Sequence, residues 1–104
     1  MGTKITLYIG LADKETKVQK IPTQEAERAV MRALGFDATI THGKGTYTHE
    51  DKSVVFENTL LVEIFDFDNS ISREELTEKV IRIKKDLNQE KVAVNFEKSD
   101  SYLW

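Results

Sequence analysis

The chain has 104 residues, 39% of them apolar and 32% charged, with no cysteine and a net charge of -3 at pH 7. That suffices for one domain, residues 1–104, with a two-layer core. It excludes disulfides and cysteine chemistry, and an acidic balance argues against general nucleic-acid binding, which needs Lys and Arg in excess on one face.

The first element is a strand. In KITLYIGL, Ile5, Leu7, Ile9 and Leu11 alternate with Thr6, Tyr8 and Gly10, the period-two pattern of a sheet with one buried face. MGTKIT also fits a loose myristoylation pattern, but the alternation that follows at once favours a strand start. No apolar run approaches the ~20 residues of a membrane span, so no membrane partner and a cytoplasmic location are expected.

After the polar ADKETKVQK, the residues Ala26, Val30, Ala33 and Leu34 recur at helical spacing. Pro22 or Thr23 opens this helix and Gly35 closes it in the left-handed conformation. DATITHGKGTYT and SVVFENTLLVEIFDF are rich in β-branched and aromatic residues, and HEDK between them suits a hairpin turn.

The second helix has a full start signal: Ser72 and Glu75 form a capping box, and Ile71 and Leu76 a hydrophobic staple. Leu76, Val80, Ile83 and Leu87 then form one apolar stripe. Asp66, Asp68 and Asn69 resemble the start of a calcium loop without its later Gly and Glu, and read as a strand end leading to the Ser72 cap. The basic run Arg82 to Lys85 sits late in the helix, where cations suit the dipole. A last strand, KVAVNFE, turns Val92, Val94 and Phe96 inward. The order β-α-β-β-α-β predicts an α+β, ferredoxin-like fold, a four-stranded antiparallel sheet with two helices on one face.

The densest supply of polar chemistry is THGKGTYTHED, Thr41 to Asp51. His42 and His49 are an odd number of positions apart and point to opposite faces of a straight strand, so they share a metal only if a bulge at Gly43 or Gly45 restores the parity. They read as ordinary histidines, and neither metal nor cofactor is expected. GKG lacks the loop and helix of a phosphate-binding P-loop. What the segment can offer is backbone donors and positive charge, so Gly43, Lys44, Gly45 and His49 are candidates for holding a small anionic ligand. No nucleophile elbow or ordered triad motif is present, and no catalytic residue is assigned.

The LYIGL strand, the helix and the GKGTY segment resemble a family of small bacterial proteins with a Leu-Tyr-Phe-Gly-Leu strand and a Gly-x-Gly-x-aromatic segment, a domain of unknown function. More distantly, the long hairpin is similar to the nitrogen-regulatory and divalent-cation tolerance proteins, trimers of ferredoxin-like subunits. That resemblance implies a ligand site at a subunit cleft, although LNQEKV stands where those proteins carry a Gly-rich loop.

Strand parity also predicts an interface. Leu60, Val62 and Ile64 form one row while Leu61, Phe65 and Phe67 face the other way, so Tyr8, Leu61 and Phe65 are expected to pair with another subunit. Tyr102, Leu103 and Trp104 are expected to dock, either on their own sheet or on that neighbour. The sequence therefore leans toward a non-enzymatic homo-oligomeric interaction or ligand-binding module, with a small enzyme using a subunit cleft as the alternative.

Overall fold

The computed structural model describes residues 2–99. The elements run β1 (Gly2–Gly10), α1 (Thr23–Leu34), β2 (Thr39–Thr48), β3 (Val54–Asp66), α2 (Arg73–Asp86) and β4 (Ala93–Ser99). The strands form one antiparallel sheet in the order β2-β3-β1-β4. This is the ferredoxin-like arrangement expected.

Local chemistry sets the helix limits. Gly35 closes α1 at φ 67° and donates its N–H to the Met31 carbonyl. At α2 the Ser72 side chain accepts from the Glu75 N–H at 3.0 Å. Asp66 prepares that cap, because its carboxylate is buried at the end of β3 and accepts from the N–H groups of Ser70 and Ile71, at 3.0 and 2.9 Å. The strand-end reading of Asp66 to Asn69 thus has a physical basis.

Period-two alternation divides the sheet. Ile5, Leu7 and Ile9 of β1 and Leu60, Val62 and Ile64 of β3 join Ala26, Val30, Ala33 and Leu34 of α1 and Leu76, Ile83 and Leu87 near α2 in the core. Both helices lie over this face. The opposite, open face carries Tyr8, Leu61 and Phe65: Tyr8 is paired with Leu61 and Lys4 with Phe65 across the β1–β3 ladder. Phe67 stacks on Phe65 at 5.9 Å. Tyr102, Leu103 and Trp104 lie outside the described residues.

Two features shape the end of the molecule that matters for function. First, β3 is longer than its partner β1, whose ladder stops at Gly10 opposite Thr59, so the β2–β3 hairpin projects beyond the sheet. Second, the loop after β1 is stapled to the loop after α2. Asp13 is buried, accepts from the N–H groups of Glu15 and Thr16 at 2.9 and 3.0 Å, and accepts from Asn88 at 2.6 Å. Gln89 donates to the Ala12 carbonyl at 2.9 Å.

The Asn88 and backbone hydrogen bonds hold the Asp13 carboxyl at about 2, against an ordinary value of 3.8. A carboxylate depressed on folding stabilises the native state above its unfolded value, and that stabilisation is lost as pH falls through the folded one. Asp13→Asn should therefore lower the urea midpoint at pH 7 by more than it does at pH 2. An equal loss at both pH values would remove the ionised carboxylate from the account.

Candidate functional site

The projecting hairpin curls over the open face at the end of β1 and leaves a cavity of about 440 Å³ there. Its walls come from three places: Tyr8 and Gly10 on β1, Gly45, Tyr47, Glu57 and Thr59 on the hairpin, and residues 91–93 leading into β4. The ladder places these hairpin residues on one face, with Gly45 opposite Glu57 and Gly43 opposite Thr59.

Two glycines make the room. A Cβ on Gly10 would collide with the Glu57 carboxylate, and one on Gly45 would sit 2.8 Å from the Thr59 hydroxyl. Both positions need close approach rather than an unusual backbone.

Glu57 is the acid that lines the cavity. The Ala12 N–H donates to its Oε2 at 2.9 Å and fixes the carboxylate, while burial raises its pKa above the ordinary 4.5. Burial and the negative charge of Glu90 likewise push the Tyr47 phenol above 10.0, so it stays protonated at neutral pH. Behind the wall, His49 Nδ1 faces Glu90 Oε2 at 3.2 Å, and the Tyr47 ring meets the imidazole edge-on at 4.9 Å. Two tyrosine rings and the Glu57 carboxylate, with Lys91 at the β4 side, make a cavity suited to a positively charged, ring-bearing ligand.

The four residues proposed for an anion do not converge. The register of β2 with β3 runs unbroken from Thr39 to Thr48, with no bulge at Gly43 or Gly45. Lys44 therefore points to the face opposite the two glycines and is exposed. Gly45 lines the cavity, Gly43 shares its face further along, and His49 is buried behind it. His42 is paired with Glu27 of α1, whereas His49 follows the last residue of β2 and faces Glu90. Among the described residues, no three His, Asp or Glu side chains gather where a metal ion could be held, and no helix is long and apolar enough to cross a membrane.

Tyr8 belongs both to the expected interface and to the cavity wall. Glu57, Glu90 and Tyr47 carry no motif that singles them out in the sequence. The available signal was parity: Tyr47 and Glu57 lie on the same face as the two glycines once the HEDK turn is placed.

Fold and cavity define a ferredoxin-like domain with an electron-rich pocket on the open face of its sheet. No family model matches the chain, and no curated protein matches it. Among solved structures it is similar to a phage SAM lyase in complex with S-methyl-5'-thioadenosine, with TM-score 0.67 and 24% identity over 93% of this chain and 81% of that one. A phage SAM lyase in its apo state superposes with TM-score 0.66 and 24% identity, over 92% of this chain and 79% of that one. At this identity the likeness is one of fold.

Proposed function

We propose that the open-face cavity binds a sulfonium nucleoside of the S-adenosylmethionine type and cleaves a carbon–sulfur bond in it. The observation that carries this reading is the convergence of Tyr8 and Tyr47 with the half-buried, backbone-anchored Glu57 carboxylate. Aromatic faces and a partly desolvated anion together favour a cation that carries flat apolar groups, and they disfavour phosphates. The shared fold with the phage SAM lyases supports the choice of sulfonium.

The chemistry is balanced within the substrate. The carbon–sulfur bond breaks with both electrons going to sulfur, which leaves as a neutral thioether. The carbon's replacement pair comes from another atom of the same molecule, so neither water nor a second substrate is consumed. Glu57 and the tyrosine rings hold and orient the cation, and Lys91, at the β4 side of the cavity, is the cation available to a substrate carboxylate.

We also propose that the chain works as a homo-oligomer. Tyr8 is 41% and Phe65 38% exposed on a face that no helix covers, and a second copy seated there would close the cavity toward water. Incubation with S-adenosylmethionine should release S-methyl-5'-thioadenosine, detected by liquid chromatography and mass spectrometry, from a species that light scattering shows to be larger than one chain. Absence of both product and binding overturns the lyase reading, and a strictly monomeric protein at tens of micromolar, a concentration suited to weak dimers, overturns the oligomer.

A further inference from the structure

The sheet has two edges, and β4 is one of them: among the described residues it pairs with β1 alone. Its seven residues contain no proline, and their register with β1 runs unbroken from Ser99 opposite Gly2 to Ala93 opposite Tyr8. Every second residue of such a strand turns its N–H and C=O away from the sheet, in a straight row that another extended chain can pair with.

Beside that edge α2 does not close over β4. A groove of about 460 Å³ runs between them, floored by Leu76 and Val80 of the helix and by Val94 and Phe96 of the strand. The two strand residues turn toward the core yet remain only half-buried, and Ile81 on the helix side is 59% exposed. Three cations border this floor: Arg73, whose guanidinium lies 3.8 Å over the Phe96 ring, Lys84 and Lys91. No acid lines the groove, and among the described residues none of the three cations has an ion-pair partner.

Unpaired backbone groups call for a ligand with peptide groups of its own, an apolar floor calls for alternate apolar side chains, and unneutralised cations call for carboxylates. A free phosphate would meet only the third requirement. A second copy paired through its own β4 would set one row of groove cations beside another. We propose that β4 and its groove dock an extended segment of a partner protein, which joins the sheet as a fifth strand. Its inward side chains are apolar in the middle and Asp or Glu toward the ends, where they meet Arg73, Lys84 and Lys91. Main-chain hydrogen bonds then hold the segment, and the alternate side chains select it. The inference stands apart from the reaction proposed for the open-face cavity. Lys91 lines that cavity too, so the test is placed at Lys84.

The probe is acetyl-Glu-Thr-Val-Thr-Val-Thr-Glu-amide, whose side chains read the same in either strand direction. Titrated into the ¹⁵N-labelled protein, it should shift the amides of β4 and α2 and slow amide exchange at alternate positions of β4, leaving β2, the other edge, unchanged. Lys84→Glu should weaken binding by about fivefold or more, and added salt should weaken it in the wild type. With both Glu of the probe replaced by Lys, the preference should reverse and Lys84→Glu should bind more tightly than wild type. Of two probes N-methylated at one or the other alternate set of residues, one should lose binding and the other keep it, because only one set faces the edge.

Equal binding of the two methylated probes, or equal slowing at β2, would show that no strand is added and overturns the proposal. No shift at β4 with about 1 mM probe, the weak end of specific affinity, overturns it as well. Binding that appears only after deletion of residues 100–104 would give the groove to the chain's own end, and binding that dissociates an oligomer would give the edge to a second copy. Either result also overturns the proposal.

Discussion

Glu57→Gln should raise the melting temperature at pH 7 and at the same time lower the proposed carbon–sulfur bond cleavage by about 100-fold or more, the scale seen when one preorganised electrostatic group is removed from a site. The first effect follows from linkage. Burial raises the Glu57 pKa above 4.5, so the folded state binds its proton more tightly than the unfolded chain does. The native state is then penalised wherever Glu57 is ionised, fully above the folded pKa and not at all below the unfolded one. Glutamine keeps an oxygen for the Ala12 N–H and removes the half-buried charge. The gain in melting temperature should accordingly be present at pH 7 and vanish as pH falls below about 4.5. A variant less stable than wild type at neutral pH would show that the Ala12 hydrogen bond to a charged acceptor outweighs desolvation. One that is both more stable and fully active would remove Glu57 from the site.

The largest loss of stability is expected at Leu7. It lies in the middle of β1, fully buried, opposite Val62 of β3 and Val94 of β4 on the face under the helices. Truncation removes apolar contact and leaves a hole that a central strand, held on both edges, closes poorly. Leu7→Ala should cost about 3–5 kcal/mol, a large share of the roughly 5–15 kcal/mol available to a domain of this kind. Leu61→Ala, one strand over but on the open face and only half-buried, should cost about 1.5 kcal/mol or less in the isolated chain. Urea unfolding of the two variants side by side measures the contrast. Similar losses at both positions would mean that the open face carries as much of the fold as the helix-covered one.

What can be read from the amino acids and what cannot divides along sequence distance. The start of α2 is legible because Ile71, Ser72, Glu75 and Leu76 act on one another within a turn, and the end of α1 because Gly35 needs no distant partner. The two faces of the sheet are legible because side-chain direction alternates whatever the strand pairs with. Hence the order of residues alone groups Tyr8, Leu61 and Phe65 and separates His42 from His49. The cavity is not legible in this way. Its central acid is aimed by a backbone N–H 45 residues away, and its size depends on Gly10 having no side chain where Glu57 arrives. His49 reads as a solvated histidine in a polar run. Its burial comes from Glu90, in a loop that Asn88 and Gln89 pin to the other end of the chain. Lys44 and its flanking glycines do not meet for a local reason: successive residues of a strand face opposite ways.

The unbroken β2–β3 register bears on how this hairpin can vary in length. Gly45, Tyr47 and Glu57 reach the cavity because each lies an even number of steps from the others on its strand or across the ladder. One residue inserted between Gly45 and Tyr47 would carry either the glycine or the tyrosine to the helix side, unless a bulge absorbed it. Residues added within the turn at 49–53, or in matched pairs at the tip, would leave every wall residue facing as it does now. The hairpin therefore tolerates growth at its tip and resists odd changes along its arms, so related chains with the same pocket should differ in how far the tip reaches while keeping the spacing from Gly45 to Tyr47 and from Glu57 to Thr59.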